Sequence, residues 1–154
     1  MRRSEKEVTQ PEMIAAIFAE ATVCQLAFAD QPAPYLVSLN YAYHDGSLYF
    51  HSAIEGRKID RINAAQSVAF TVVRDLGIIE GGNGCNWTTR FQSVVGHGKI
   101  VLLDHLEDKR HALDIFMRHY SENNFTFPDS VINKTAVFRL DIDEMTAKQS
   151  KIDE

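Results

Sequence analysis

Two adjacent cations, Arg57 and Lys58, follow a glycine at the end of an aromatic and apolar run, Leu48-Tyr49-Phe50-His51-Ser52-Ala53-Ile54-Glu55-Gly56. The order is that of a strand that stops, turns through Gly56 and opens a helix. After the glycine, Ile59 and Ile62 stand three apart, with Asp60 and Arg61 between them, which is helical spacing. A helix N-terminus carries unpaired N–H groups and a partial positive charge that favour an anion. Arg57 and Lys58 add full charges, and an arginine can grip a phosphate through two parallel bonds. The same residues also fit a solvated helix start with ordinary surface cations, and spacing alone leaves both readings open. His51, at the end of the strand, adds an imidazole that can shuttle protons near neutral pH. Its alternative role is to bond a ligand or a backbone carbonyl.

Other chemistries find less support. His97, His105, His111 and His119 form no HExxH or Cys/His pairing; His111 and His119 are two helical turns apart, too far to share an ion within one chain. Asp75-Leu76-Gly77-Ile78-Ile79-Glu80-Gly81-Gly82-Asn83-Gly84 is rich in glycine. It lacks the strand–turn–helix order of a dinucleotide fingerprint and reads as a flexible loop. Cys24 and Cys85 are the only cysteines, too few for a disulfide framework, and Cys24 reads as a reduced core thiol. No serine–histidine–aspartate or cysteine–histidine arrangement is evident from spacing. A net charge of −5 and a pI of about 5.7 argue against a nucleic-acid partner. No apolar run approaches a membrane span and no signal-peptide core follows the basic N-terminus, so the expected compartment is cytoplasmic.

The elements that must position these residues are short strands with few helices. At 154 residues and 45% hydrophobic content, the chain reads as a single domain over 1–154 that buries its own core. Thr9-Gln10-Pro11-Glu12 has capping-box spacing and precedes a helix with Ile14, Ile17, Phe18 and Ala21 on one face. Strands follow at 22–29 and 35–43. His44-Asp45-Gly46 is a tight hairpin signal leading into the strand that ends near Ser52. A helix is expected from Gly56 to about Ala65, then strands at 67–74 and 87–103, the latter bent at Gly96 and Gly98. Asp104-His105-Leu106-Glu107 starts another helix, 123–134 reads as loop, and 135–142 is the last strand. Six strands without βαβ alternation predict a mainly β fold, a barrel or a strongly bent antiparallel sheet with peripheral α-helices.

The ordered set of segments resembles the flavin-binding split barrels of the pyridoxamine-phosphate-oxidase-like superfamily, in particular the nitroimidazole-resistance (Nim-type) branch. The matching pieces are Met1-Arg2-Arg3, Val23-Cys24-Gln25-Leu26-Ala27-Phe28, Pro34-Tyr35-Leu36-Val37-Ser38-Leu39-Asn40-Tyr41 and the run from Asp45 to Lys58. Further along they are Phe91-Gln92-Ser93-Val94-Val95-Gly96-His97-Gly98-Lys99, Met117-Arg118-His119-Tyr120 and Met145-Thr146-Ala147-Lys148.

The resemblance implies a six-stranded antiparallel split β-barrel with peripheral α-helices, and FMN in a cleft of a homodimer. It places Val37, Ser38, Leu39 and Asn40 along the isoalloxazine ring, although Val37 and Leu39 equally suit barrel core. Phe50, His51 and Ser52 would follow the cofactor toward Gly56, Arg57 and Lys58, which would hold its phosphate. It also places Gln92 or Ser93 against the flavin, without choosing between them. The vitamin-B6 oxidases carry arginine and lysine where this chain has Tyr35 and Asn40, and a C-terminal tryptophan and arginine segment that has no counterpart here. Pyridoxamine phosphate oxidation is therefore not expected. The implied activity is FMN-dependent reduction of a small aromatic or nitro-substituted acceptor, with His51 as the catalytic proton donor. The rivals are a non-enzymatic flavin- or haem-binding carrier or sensor, and a flavin-free interaction domain.

Overall fold

The computed structural model describes residues 4–65 and 67–150; the Met1-Arg2-Arg3 part of the resemblance lies outside them. The strands are β1 (Glu7–Val8), β2 (Val23–Phe28), β3 (Tyr35–Asn40), β4 (Ala42–His44), β5 (Ser47–Ala53), β6 (Val68–Ile79), β7 (Thr88–Leu103) and β8 (Thr135–Gln149). The α-helices are α1 (Pro11–Glu20), α2 (Arg57–Ala64), α3 (Leu106–Arg118) and the single turn α4 (Asp129–Ile132). All strands belong to one antiparallel sheet, ordered β3-β2-β6-β7-β8-β5-β4, with β1 on the far part of β8. The expected split barrel is the fold observed. Two strands beyond the expected six arise because β1 was not foreseen and because the 35–43 strand breaks at Tyr41 into β3 and β4.

That break makes the split. β3 pairs with β2, whereas β4 pairs with β5, Ala42 opposite Tyr49 and His44 opposite Ser47. Asp45 and Gly46 make the two-residue connection with φ of 47° and 76°, both positive as a type I′ hairpin requires. Carrying the β4–β5 register past Tyr41 would set Asn40 beside His51, but among the described residues no β3–β5 ladder forms. The barrel wall is therefore closed by the chain passing through Tyr41, and a slot remains between β3 and the end of β5.

The remaining wall is built from two long bent strands. The first half of β7 pairs with the second half of β8, and the register shifts between His97 and Gly98, leaving Asp143 of β8 over as a bulge. Bulges of this kind bend a strand and increase its twist. At Gly98 a Cβ would lie 2.0 Å from the Asp141 carbonyl oxygen, so the backbones meet there only because glycine has no side chain. β6 runs further than expected, because the stretch taken for loop continues the ladder to Ile79 through a bulge at Gly77, φ 95°. The Asp75 carboxylate accepts from the Gly77 N–H at 2.9 Å and fixes that bulge.

Alternation along the strands sends Leu26, Phe28, Leu48, Phe50, Phe70, Val72, Val94, Phe138 and Leu140 into a core they share with Ile17 and Phe18 of α1 and Ile59 and Ile62 of α2. Phe50 and Phe138, directly opposite in register, stack at 5.2 Å between centroids. Neither expected capping box forms: Gln10 and His105 are the N-cap residues, and neither gives a side-chain cap bond. None of the described helices is long and apolar enough to cross a membrane.

Candidate functional site

The slot brings together residues that are distant in sequence. At one end, Arg57 at the start of α2 lies over the ring of Tyr35 at the start of β3, 4.8 Å from its centroid. Along one side runs β3, an end strand of the sheet, so the backbone N–H and C=O groups on its outer side are available to a partner. Along the other side are His51, Ser52 and Ala53. The far end is closed by the last turn of α3 and the residues after it. Phe116 meets the His51 ring edge-on at 4.5 Å, and Tyr120 packs on Phe116 at 5.2 Å.

The alternation of β3 divides the expected contact residues. Val37 and Leu39 are half-buried and pack against the core, so their side chains belong to the barrel. Ser38 and Asn40 are exposed on the opposite face, and Asn40 donates to the Thr22 carbonyl at 3.1 Å. Phe50 is buried in the core, which leaves only its backbone for a ligand. His51, one residue on, faces outward, and the Ser52 hydroxyl donates to the Ala53 carbonyl at 2.9 Å. Gly56 is the N-cap of α2 with φ 112° and ψ 171°, a conformation open to glycine, and no side chain caps the helix. The first N–H groups of α2 are thus left without a side-chain acceptor, as an anion site requires.

The two cations differ. Arg57 is engaged with Asp30 at 2.7 Å, and Arg61 takes the other oxygen of the same carboxylate at 2.9 Å. Arg57 holds the Asp30 carboxyl below its usual range, with the Gln31 N–H assisting. Lys58 makes no ion pair among the described residues, and partial burial lowers its pKa. It is the cation left to meet an external anion. Partial burial, and secondarily the charge of Lys58, lower the pKa of His51 and so favour its neutral form.

Gln92 and Ser93 lie on opposite faces of β7. Gln92 is buried at one end of the barrel, accepting from Arg74 at 2.9 Å and donating to Gln149 at 3.2 Å, while Arg74 also pairs with Glu20 of α1. Ser93 is on the outer face, in register with Val73 and Lys148. Only 4% of it is exposed, and its hydroxyl lacks a partner. Across the same face the side-chain Oε1 of Gln25 is likewise buried and has no partner among the described residues. Buried polar atoms of this kind are rare unless a partner is supplied from outside. Of the pair, Gln92 has its amide engaged and Ser93 is left without a partner among the described residues.

In the sequence, Phe116 reads simply as an apolar position of the helix after Asp104, and Tyr120 as another and as part of the Met117-Arg118-His119-Tyr120 match. Nothing local showed that α3 would lay them against His51 and Tyr41, because that contact depends on how α3 docks over β4 and β5. The Tyr120 hydroxyl accepts from the Tyr41 N–H at 3.1 Å and lies 2.9 Å from the Tyr41 carbonyl and 3.2 Å from that of Thr22. Among the described residues no group of histidine, cysteine, aspartate or glutamate is placed to hold a metal ion.

The architecture is that of a split β-barrel with an unpaired β3 edge and peripheral helices. The family model "Pyridoxamine 5'-phosphate oxidase" matches residues 10–149, and the chain belongs to that family. Among solved structures, a proposed 5-nitroimidazole antibiotic resistance protein from Bacteroides thetaiotaomicron is 32% identical over 93% of this chain and 86% of its own, with a TM-score of 0.81. The flavocytochrome Anf3 of Azotobacter vinelandii is 20% identical, covers 100% of this chain and 75% of its own, and has a TM-score of 0.85. The FAD- and haem-binding protein of Mycobacterium smegmatis is 15% identical, covers 95% of this chain and 74% of its own, and has a TM-score of 0.86. At these identities the last two establish likeness of fold alone. Comparison with the curated proteins finds no match.

Proposed function

We propose that the chain binds FMN in the slot between β3 and β5 and serves as an FMN-dependent oxidoreductase for a small aromatic or nitro-substituted acceptor. The observation that carries this is Arg57 lying across the slot on Tyr35, because it sets the cation-rich start of α2 at the end of a free strand edge. The residues present fit the group: Lys58 and the uncapped helix suit a phosphate, and the free polar edge of β3 suits a flat heterocycle. The likeness to a proposed nitroimidazole resistance protein favours nitro-substituted acceptors. When bound, FMN supplies two-electron chemistry.

The chain's own residues then have distinct tasks. Lys58 and the first N–H groups of α2 neutralise the phosphate, and Arg57 adds the N–H groups that Asp30 leaves free. Ser38, Asn40 and the β3 backbone orient the ring. His51, packed between Phe116 and Lys58, holds or passes a proton beside the site. A second copy completes the cleft: the outer face of β2, β6 and β7 exposes Val23, Val73 and Val95, and carries the unpartnered Ser93 hydroxyl and Gln25 Oε1. Such a self-complementary face is how symmetric dimers form.

The deciding experiment is an absorption spectrum of the purified protein, followed by anaerobic turnover of a nitroaromatic with NAD(P)H. A flavin spectrum with turnover is the expected result. A flavin or haem spectrum without turnover would make the protein a carrier or sensor. Sedimentation of the flavin-loaded form as a monomer would remove the second copy from the site.

A further inference from the structure

A second cleft, of about 340 Å³, opens between α1 and α3 over β4. Its floor is apolar: Tyr43, whose ring stacks on Phe18 at 4.2 Å, and Ile115, which is buried. Ala15 and Ala19, one turn apart on the exposed side of α1, form one wall, and their small size leaves the space open. The other wall carries Arg118, His119 and His44. Among the described residues no carboxylate lines the cleft, although the chain as a whole carries a net charge of −5.

The polar groups have defined states. Arg118 makes no ion pair among the described residues, Asp114 one turn earlier included. The His119 Nε2 lies 3.1 Å from the Ala21 carbonyl, which can only accept, so Nε2 carries the proton and donates. Burial lowers the pKa of His119 against the opposing pull of that carbonyl. Its Nδ1 is therefore a hydrogen-bond acceptor at neutral pH. An unpaired guanidinium, a neutral imidazole and an aromatic floor in a concave site have the make-up of a small-molecule pocket.

We propose that this cleft binds a small, flat monocarboxylic acid. Its carboxylate lies on Arg118, where a planar guanidinium matches it with two parallel bonds, and its ring lies between Tyr43 and the two alanines. The site is separate from the slot but shares α3 with it: His119 packs on Tyr120 at 4.7 Å, and Tyr120 packs on Phe116, which touches His51.

The test is calorimetric titration of the full chain with benzoate, with benzamide as the neutral isostere. Wild type is expected to bind benzoate saturably at millimolar or lower concentration and benzamide far more weakly. Arg118→Ala should weaken benzoate roughly tenfold or more, the loss typical of a charge-assisted pair, and Arg118→Lys should restore part of it. Ala19→Leu, on an exposed helix face that leaves folding intact, should block the cleft without changing its charge. Failure of wild type to bind benzoate saturably, equal binding of benzamide, or benzoate binding indifferent to both Arg118→Ala and Ala19→Leu would each overturn the assignment. The flavin content of the protein does not enter these readouts.

Discussion

Arg57 gives Nε and Nη2 to a single oxygen of Asp30, at 3.1 and 2.7 Å, while the second oxygen of that carboxylate is taken by Arg61. The first cation of the Arg57-Lys58 pair is therefore partly spent on a neighbouring loop, and the second is not. Lys58→Ala should weaken FMN by roughly tenfold or more, since a charge-assisted contact is worth about 1.5–3 kcal/mol, and should leave riboflavin nearly unchanged. Arg57→Ala should have the smaller effect on FMN. Equal losses for FMN and riboflavin, read by fluorescence titration, would assign Lys58 to the fold instead.

His51 has its pKa lowered by burial and by Lys58, so its charged form appears only below the ordinary value of about 6.5. If it donates the proton in acceptor reduction, the rate at saturating acceptor should rise as pH falls through that lower pKa. His51→Phe, which keeps a ring against Phe116, should abolish that rise and slow turnover by roughly 100-fold at the acid optimum. A pH profile identical in the variant would leave solvent as the proton source.

The same lowering has a consequence for stability. Below about pH 6.5 the unfolded chain binds protons at His51 and His119 that the folded chain resists. Unfolding is thereby favoured, and stability falls as pH drops from the unfolded value toward the folded ones. Thermal midpoints measured from pH 7.5 to 5.5 should decline, and less steeply for His51→Phe. A midpoint independent of pH across that interval would contradict the partial desolvation of these rings.

Cys24 is fully buried, and desolvation pushes its thiol up to about 12, whereas Cys85 is exposed. A thiol held protonated is a poor nucleophile. Iodoacetamide should alkylate Cys85 in the native protein and reach Cys24 only after denaturation. Native labelling of both, read by intact mass, would mean that β2 opens readily.

Gly98→Ala should destabilise the fold by about 1–3 kcal/mol, the usual effect of forcing atoms into packed structure, because its Cβ would collide with the Asp141 carbonyl. Chemical denaturation measures this directly. An unchanged midpoint would mean that the β8 bulge can shift to accept a methyl group.

Much of the fold was legible because it rests on local chemistry. The Asp45-Gly46 hairpin, the turn at Gly56 and the bend of β7 at Gly96 and Gly98 are written in consecutive residues. The extension of β6 past Arg74 was hidden because Gly77 and its neighbours have loop composition; only pairing with β7 turns them into a bulged strand. In the site, Arg57 and Lys58 could be found by type and position, but Asp30 sits 27 residues away from Arg57 and nothing local ties them. Phe50 and His51 share a segment, and strand parity separates them, one into the core and one into the slot. That Gln92 has its amide engaged while Ser93 does not follows from the face of β7 each one occupies, which adjacent positions in the sequence do not reveal.

The phenol of Tyr120 touches both backbone groups of Tyr41, the residue where the chain leaves one half of the wall for the other. That oxygen, reaching in from another element, helps to fasten the seam of the barrel, alongside the Tyr41 hydroxyl on the Phe18 carbonyl and Asn40 on that of Thr22. Removing that atom, as in Tyr120→Phe, leaves the packed ring in place and unfastens only the seam. Amide exchange at Tyr41 should then accelerate while the amides of β7 and β8 keep their protection, marking Tyr41 as the hinge at which this protein first comes open.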